Sequence, residues 1–339
     1  MHPRIRLTLD LIKSFHRADH KLKKLSAYSA YYLSHILGDG LPSVKEWRAR
    51  NPLHAYILMT SRCNMTCEDC FFVDIINEKS VGRLDFDIQQ VKKNYENSIF
   101  QAVARVILFG GEPTLCKDNL ETIRFFRSRG IVVSMTSNAL KINRETLLDL
   151  KAADLNILNL SIYEKTGQGV KRNLENIEEA FEAANAGAFD PERIEVSFHA
   201  VDVESYRRAY EFASKIGARH LLFNRTFYTE TNPKDGEHSE SSEFAREYLE
   251  LCAKIEKENV LNLYHASQPG TPNTCSFTEN AFSISPTDAM SPCCMVTPDK
   301  EKYGSIDQLK QLYDFKDAFL AKQVPDVCKE CHVLGVKHF

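Results

Sequence analysis

The sequence predicts an α/β fold: a partial (β/α)6 barrel, preceded by a helical extension and followed by a small loop-rich module. Three observations carry this reading. Six short apolar runs between residues 55 and 224 alternate with stretches that place apolar residues at helical spacing. The runs are nearly continuous, the pattern of strands covered on both faces, as in a parallel sheet crossed over by helices. Beyond them, residues 260–339 hold five of the ten cysteines and few periodic segments, so this part calls for a staple such as metal ligation.

Taken in order, residues 1–50 read as helical, with Ile5, Leu9, Ile12 and Phe15 at helical spacing. Between Arg4 and Lys24 there are seven Lys or Arg against two Asp. This reads as a helix packed on the main domain with a solvated basic face; a membrane-surface or partner-docking helix is the competing reading. Strands are predicted at 55–59, 104–109, 131–136, 156–162, 194–200 and 220–224, with helices near 87–102, 118–129, 143–152, 172–186 and 204–216. Right-handed crossovers curl such units into a TIM-like arc, whose chemistry belongs on the loops at the C-terminal ends of the strands. The barrel then spans 51–230, a polar linker with a helix at 243–258 occupies 231–259, and the C-terminal module covers 260–339.

Apolar residues make up 43% of the chain and charged residues 26%, which suits an ordinary buried core. A net charge of −3 offers no basis for a nucleic-acid partner, whose phosphates require clustered Lys and Arg. No apolar run reaches the roughly 20 residues that span a bilayer. Asp10 interrupts the apolar stretch near the basic N-terminus, against a signal peptide. A cytoplasmic protein is expected, in which cysteines stay reduced. Seven of the ten are grouped, as Cys63, Cys67 and Cys70, Cys293 and Cys294, and Cys328 and Cys331, and this points to metal ligation.

The sharpest motif is Cys63-x3-Cys67-x2-Cys70, directly after the first strand. Three thiolates in one loop bind three irons of a cubane cluster and leave the fourth open, as a catalytic metal site requires; a zinc site is the alternative. Gly110-Gly111-Glu112-Pro113 follows the second strand, where two glycines let backbone approach a ligand closely. Both motifs fall at the same end of the predicted barrel.

With these motifs the chain resembles the radical S-adenosylmethionine enzymes over roughly residues 52–335. The resemblance implies that Cys63, Cys67 and Cys70 hold a [4Fe–4S] cluster whose open iron takes the amino and carboxylate groups of S-adenosylmethionine. It implies that Gly110, Gly111, Glu112 and Pro113 hold the methionine end, and that Ser137, Asn138 and Ser161 stand where ribose or carboxylate contacts are made. Arg225 is a candidate for a carboxylate or phosphate. Two departures stand out: Asp69 occupies the place of the usual aromatic residue before the third cysteine, leaving Phe71 as the adenine candidate, and Ser161-Ile162-Tyr163 replaces a usual Ser-x-Asp.

The C-terminal cysteines resemble the Twitch, or reduced SPASM, module that binds one auxiliary [4Fe–4S] cluster. By that resemblance its ligands are Cys275, Cys293, Cys328 and Cys331, with Cys294 the alternative to Cys293. Cys116, Cys252 and Cys294 remain, each read first as a small buried apolar residue. Cys116 and Cys294 are also candidate hydrogen-atom donors.

The resemblance implies reductive cleavage of S-adenosylmethionine to a 5′-deoxyadenosyl radical, fed by a flavodoxin- or ferredoxin-type electron donor. Hydrogen abstraction from a substrate then leads to oxidation, with the auxiliary cluster as electron acceptor, or to epimerisation, with a thiol returning hydrogen. A sugar-like or other small metabolite is the expected substrate, because residues 1–50 look helical rather than like a leader-peptide recognition domain. A peptide to be cross-linked or epimerised is the alternative. A non-catalytic iron–sulfur electron carrier or redox sensor is the reading from another class, but it leaves the glycine motif unexplained.

Overall fold

The computed structural model describes residues 3–37, 42–67, 70, 84–97, 99–163, 170–200, 202–225, 242–258, 260–265, 268–269, 275–329, 331 and 336–337. Among them, β1 (His54–Leu58), β2 (Arg105–Phe109), β3 (Val132–Ser137), β4 (Ile157–Ile162), β5 (Ile194–Ala200), β6 (His220–Arg225) and β7 (Asn262–His265) pair in parallel and in chain order. Helices Asn119–Ser128, Arg144–Ala152, Val170–Asn185, Val203–Lys215 and Ser242–Glu258 fall between or after them. All six predicted strands are present within a residue or two of their expected limits. The stretch expected as one helix at 87–102 is an α-helix at Ile88–Asn94 followed by 3₁₀ turns at Tyr95–Asn97 and Ile99–Ala102. Asp87 caps its start by accepting from the Gln89 amide at 2.8 Å.

Chain order in a parallel sheet is what repeated right-handed crossovers produce, and the result is the arc of a partial TIM-like barrel. The outward face is apolar: Ile57, Leu108, Met135, Leu158, Val196 and Phe223 pack into one core with the surrounding helices. The opposite face is more polar, carrying Tyr56, Arg105, Ser134, Asn159, Ser161 and Ser197. Hydrogen bonds cross it from Arg105 Nε to Ser134 Oγ (2.9 Å) and from Ser197 Oγ to Asn159 Oδ1 (2.6 Å).

Among the described residues, five strands fall in the C-terminal region that the sequence presents as irregular. β7 extends one edge of the sheet, and β9 (Ala281–Ile284) lies parallel to β1 on its other side, with β10 (Met290–Ser291) antiparallel beyond it. A separate pair joins β8 (Gln268–Pro269) to β11 (Val336–Lys337). β9 is short and fully buried, so it shows no alternation from which a sheet could be read.

The N-terminal extension is three helices, Pro3–Phe15, Lys21–Leu37 and Pro42–Arg50, rather than one. The first crosses the N-terminal ends of β3 to β5. Arg127 donates to Ser14 Oγ (3.0 Å), and Arg17 and Arg127 both reach Asp154 at 3.0 Å. Gly130, just before β3, has φ +67°, and a Cβ there would stand 2.5 Å from the Ser14 carbonyl and 2.6 Å from the Ala18 amide. The third helix reaches the C-terminal region, where Arg48 Nε donates to Asn280 Oδ1 at 2.8 Å.

Gly130→Ala combines a left-handed backbone with this backbone clash, so urea unfolding should show a loss of about 1–3 kcal/mol. An unchanged midpoint would mean that the helix does not seat on that turn.

Candidate active site

The loop that leaves β1 is pinned at its base before it reaches the cysteines. Arg62 grips Asp85 with Nε to Oδ1 at 3.1 Å and Nη2 to Oδ2 at 2.6 Å, and it also donates to the Leu115 carbonyl. Thr60 Oγ1 donates to Asp85 Oδ1 at 2.7 Å, and the Ser61 amide donates to the Leu84 carbonyl at 2.9 Å. Burial pushes the Asp85 carboxyl up, but hydrogen bonds from Arg62 and Thr60 outweigh it and hold the group below its ordinary value. Between these anchors run Cys63, Cys67 and Cys70, all partly exposed. The Cys63 thiol is pushed up, chiefly by burial, with the Glu112 carboxylate adding to it and backbone amides opposing. Ligation therefore has to displace its proton.

The loop after β2 comes against this one. Gly111 has φ +55°, and a Cβ there would collide with the Arg62 and Thr60 carbonyls, so only glycine fits. The Glu112 amide donates to the Arg62 carbonyl at 2.8 Å. Its carboxylate is buried. It accepts from Thr114 Oγ1 (2.7 Å), the Thr114 amide (3.1 Å), Ser137 Oγ (2.9 Å) and the Asn138 amide (2.8 Å). Burial raises its pKa and those four donors oppose the rise. Glu112 and Ser137 thus brace the β2 and β3 loops against each other. Asn138 Nδ2 donates to Asn64 Oδ1 (2.8 Å) and lies 3.7 Å from the Cys63 sulfur.

Two residues that the motifs did not single out as contributors complete this end of the barrel. Tyr163, just past β4, has its phenol raised well above the ordinary range by burial and then by the charges of Cys67, Cys70 and Cys63. Asn173 is fully buried on the helix after β4. Its Nδ2 donates to the Asn138 carbonyl (2.7 Å) and the Ser161 carbonyl (2.9 Å), and its Oδ1 accepts from the Tyr163 amide (3.1 Å). A signal was present in the sequence: Asn173 opens a helical stripe continued by Ile177, Ala180, Phe181 and Ala184, which are all buried, and a polar residue in such a stripe needs partners.

In the C-terminal region, Cys275 and Cys328 share one buried cluster with Phe319, and Cys293 lies in a second with Val296 and Tyr303. Phe277, Phe315 and Val327 border both clusters. Burial pushes the Cys293 thiol well up, followed by the charges of Cys294, Cys275 and, more weakly, Cys331. Lys316 is buried there, its Nζ donating to the carbonyls of Thr278 (2.5 Å) and Ala281 (2.7 Å). Burial draws its pKa down to about 7, against the pull of Cys293, Cys275 and Glu279. Cys294 belongs to a third cluster with Leu58 and Phe109, bordered by Tyr56, Cys70 and Phe277, and its thiol, pushed up chiefly by burial, also feels the charges of Cys275 and Cys331. Among the described residues, no three His, Cys, Asp or Glu side chains stand close enough to grip a single metal ion. Thiolates of a cubane bind separate irons, and so stand farther apart.

Of the other sequence candidates, Phe71 and Asp69 lie outside the described residues, as does the Arg225 side chain. Ser161 is buried on β4, its Oγ 3.4 Å from Ser197 Oγ. Pro113 is buried at the start of a 3₁₀ turn. Cys116 and Cys252 sit in the apolar core, their thiols pushed up by burial to about 11 and about 12.

Strand-end loops at one end of the partial barrel gather a three-cysteine segment, a glycine pair and an amide-bearing asparagine. Residues 57–183 match the Radical SAM superfamily, which marks the protein as an enzyme. A probable GTP 3′,8-cyclase of Metallosphaera sedula is 29% identical over 175 residues, 49% of this chain and 53% of that protein. An AdoMet-dependent heme synthase of Methanosarcina barkeri is 23% identical over 62% of this chain and 60% of its own length. The chain therefore spans only about half to three-fifths of these relatives. Among solved structures, native anSMEcpe with bound AdoMet and Kp18Cys peptide superposes with a TM-score of 0.59 at 17% identity, covering 83% of this chain and 86% of that one. SuiB of Streptococcus suis gives 0.57 at 13% identity, covering 92% and 82%. At these identities the likeness is one of fold.

Asn173→Ala would leave two carbonyls and an amide unpaired in the interior, and a single such group costs about 1–3 kcal/mol. Urea unfolding should show a loss of at least that size, and the thermal midpoint should fall with it. Wild-type values in both would show that Asn173 does not hold the β3 and β4 loops.

Proposed function

We propose that the chain binds a [4Fe–4S] cluster through Cys63, Cys67 and Cys70, with S-adenosylmethionine beside it, and removes a hydrogen atom from a substrate C–H bond. The observation that carries this reading is the closure of the Gly111 loop on the base of the three-cysteine loop, with Asn138 Nδ2 against the Cys63 sulfur. When bound, the cluster and S-adenosylmethionine supply one-electron cleavage to methionine and a 5′-deoxyadenosyl radical. The chain's own part is to orient and to exclude water. Asn138 presents an amide to Cys63, Gly111 brings backbone to the base of the loop, and Gly110 packs on Leu58. Tyr163 supplies the aromatic surface that Asp69 does not, which makes it the candidate for the adenine contact.

A second [4Fe–4S] cluster on Cys275, Cys293, Cys328 and Cys331 is part of the proposal. It is supported by the shared neighbours of Cys275, Cys293 and Cys328 and by the charge coupling of Cys293 to Cys331. The cluster in which Cys293 shares neighbours with Cys275 and Cys328 favours Cys293 as the ligand, with Cys294 the alternative. This also leaves Cys294 as the better-placed hydrogen donor if the reaction is an epimerisation, since Cys116 is enclosed in the outer core. The polar inner face, with Arg105, Ser134, Asn159, Ser161 and Ser197, favours a hydroxylated or otherwise polar small metabolite. A peptide substrate is the second reading, because SuiB bound to its precursor peptide SuiA and anSMEcpe bound to a peptide share the fold.

Anaerobically reconstituted protein with dithionite should convert S-adenosylmethionine to 5′-deoxyadenosine, and a Cys63/Cys67/Cys70→Ala triple variant should not. Equal, background yields from both would point to an electron carrier instead.

Iron analysis should give about eight iron per chain for two cubanes and about four after Cys328→Ala. An unchanged count in that variant would remove the auxiliary assignment. In deuterated water, gain of one deuteron by the product marks epimerisation, and loss of two mass units marks oxidation.

A further inference from the structure

On the described parts of the first two helices, polar side chains face inward beside Leu11, Ala18 and Ala27, while several large apolar ones face out. Asp10, Ser14 and Lys24 are turned inward and buried, whereas Ile12 is 64% and Leu22 82% exposed, with Leu9, Phe15 and Leu25 also open to solvent. This arrangement has a local cause. The strand ends beneath present Arg193 to Asp10 (3.7 Å), Arg127 to Ser14 (3.0 Å) and the Arg129 carbonyl to Lys24 (3.0 Å). With the polar groups used inward, these large apolar ones are left outward. A single exposed leucine would call for no explanation, but here large apolar side chains recur along two consecutive helices.

Charge is sorted in the same sense. The carboxylates of this segment, Asp10 and Asp19, are matched by Arg193 and by Lys24 with Arg129. Lys13, His16 and Lys21 are exposed, as is Arg17, which Asp154 shares. A basic face is thus set apart on a chain whose net charge is −3.

We propose that this face docks the enzyme on an anionic lipid bilayer. Protruding Leu, Ile and Phe flanked by Lys and Arg are what an interfacial segment needs: apolar side chains enter the acyl boundary while cations meet the headgroups. Among the described residues no helix is long and apolar enough to cross a membrane, so the contact is peripheral. A second copy would bring like charge against like. An electron-donor protein would sit too far from its target. The cysteine loop leaves the opposite end of β1, about 17 Å of strand away, with a helix layer about 10 Å across in between.

The test is co-sedimentation of the full reconstituted chain with vesicles of phosphatidylcholine alone or with phosphatidylglycerol added. Binding is expected only to the anionic vesicles, reversed by high salt. It should fall on the order of tenfold or more in Ile12→Asp and again in Leu22→Asp. Both side chains are exposed, so iron content and thermal unfolding should match the wild type and serve as the folding control. No binding to anionic vesicles, equal binding to both compositions, or undiminished binding by the two variants would overturn the proposal. So would a wild-type dimer that Ile12→Asp converts to monomer, which would assign the face to a second copy.

Discussion

The site rests on the grip of Arg62 on Asp85. These residues stand at the two ends of the excursion that carries the three cysteines, and their doubly bonded contact is the strong form of a carboxylate pair. The same guanidinium reaches the Leu115 carbonyl, and the Arg62 backbone carbonyl receives the Glu112 amide. One residue thereby fixes where the cysteine loop starts, where it returns and how it faces the glycine loop. Closing a long loop costs entropy whether or not a ligand is present. By joining the two ends, the Arg62–Asp85 pair offsets part of that cost before any ligand binds.

From that junction, order spreads sideways through buried polar groups rather than through apolar packing. Glu112 links β2 to β3, Asn138 links β3 to Cys63, and Asn173 links β3 to β4 and Tyr163. Each of these groups has lost its water, and each has found partners that replace it. Such a network holds only if every member is present. This explains why polar residues cluster so densely at one end of a barrel whose outer side is almost wholly aliphatic and aromatic.

The barrel was legible in the sequence because its strands are long enough, and apolar enough, to declare themselves against the helices between them. β9 was not, since four buried residues show neither alternation nor length. The N-terminal extension shows a limit of periodicity. The spacing of Leu9, Ile12 and Phe15 identifies a helix and an apolar stripe, but not the side that faces the protein, which Arg193 and Arg127 decide through Asp10 and Ser14. In the site, Cys63, Cys67, Cys70 and the glycine pair were visible as motifs. Tyr163 was noticed only as a departure from Ser-x-Asp, and Asn173 not at all, because their contributions arise from hydrogen bonds between strands distant in sequence.

The position of β9 has a consequence for how the molecule comes apart. β1 is hydrogen-bonded on both flanks, to β2 and to β9. The strand that launches the cysteine loop is therefore zipped to the segment that holds Cys275 and Cys293. Were that segment to peel off, β1 would become an open sheet margin with unpaired amides and carbonyls, an invitation for another chain to add its own strand. The two cysteine-bearing regions are thus parts of one cooperative unit, and the C-terminal one guards its partner against self-association.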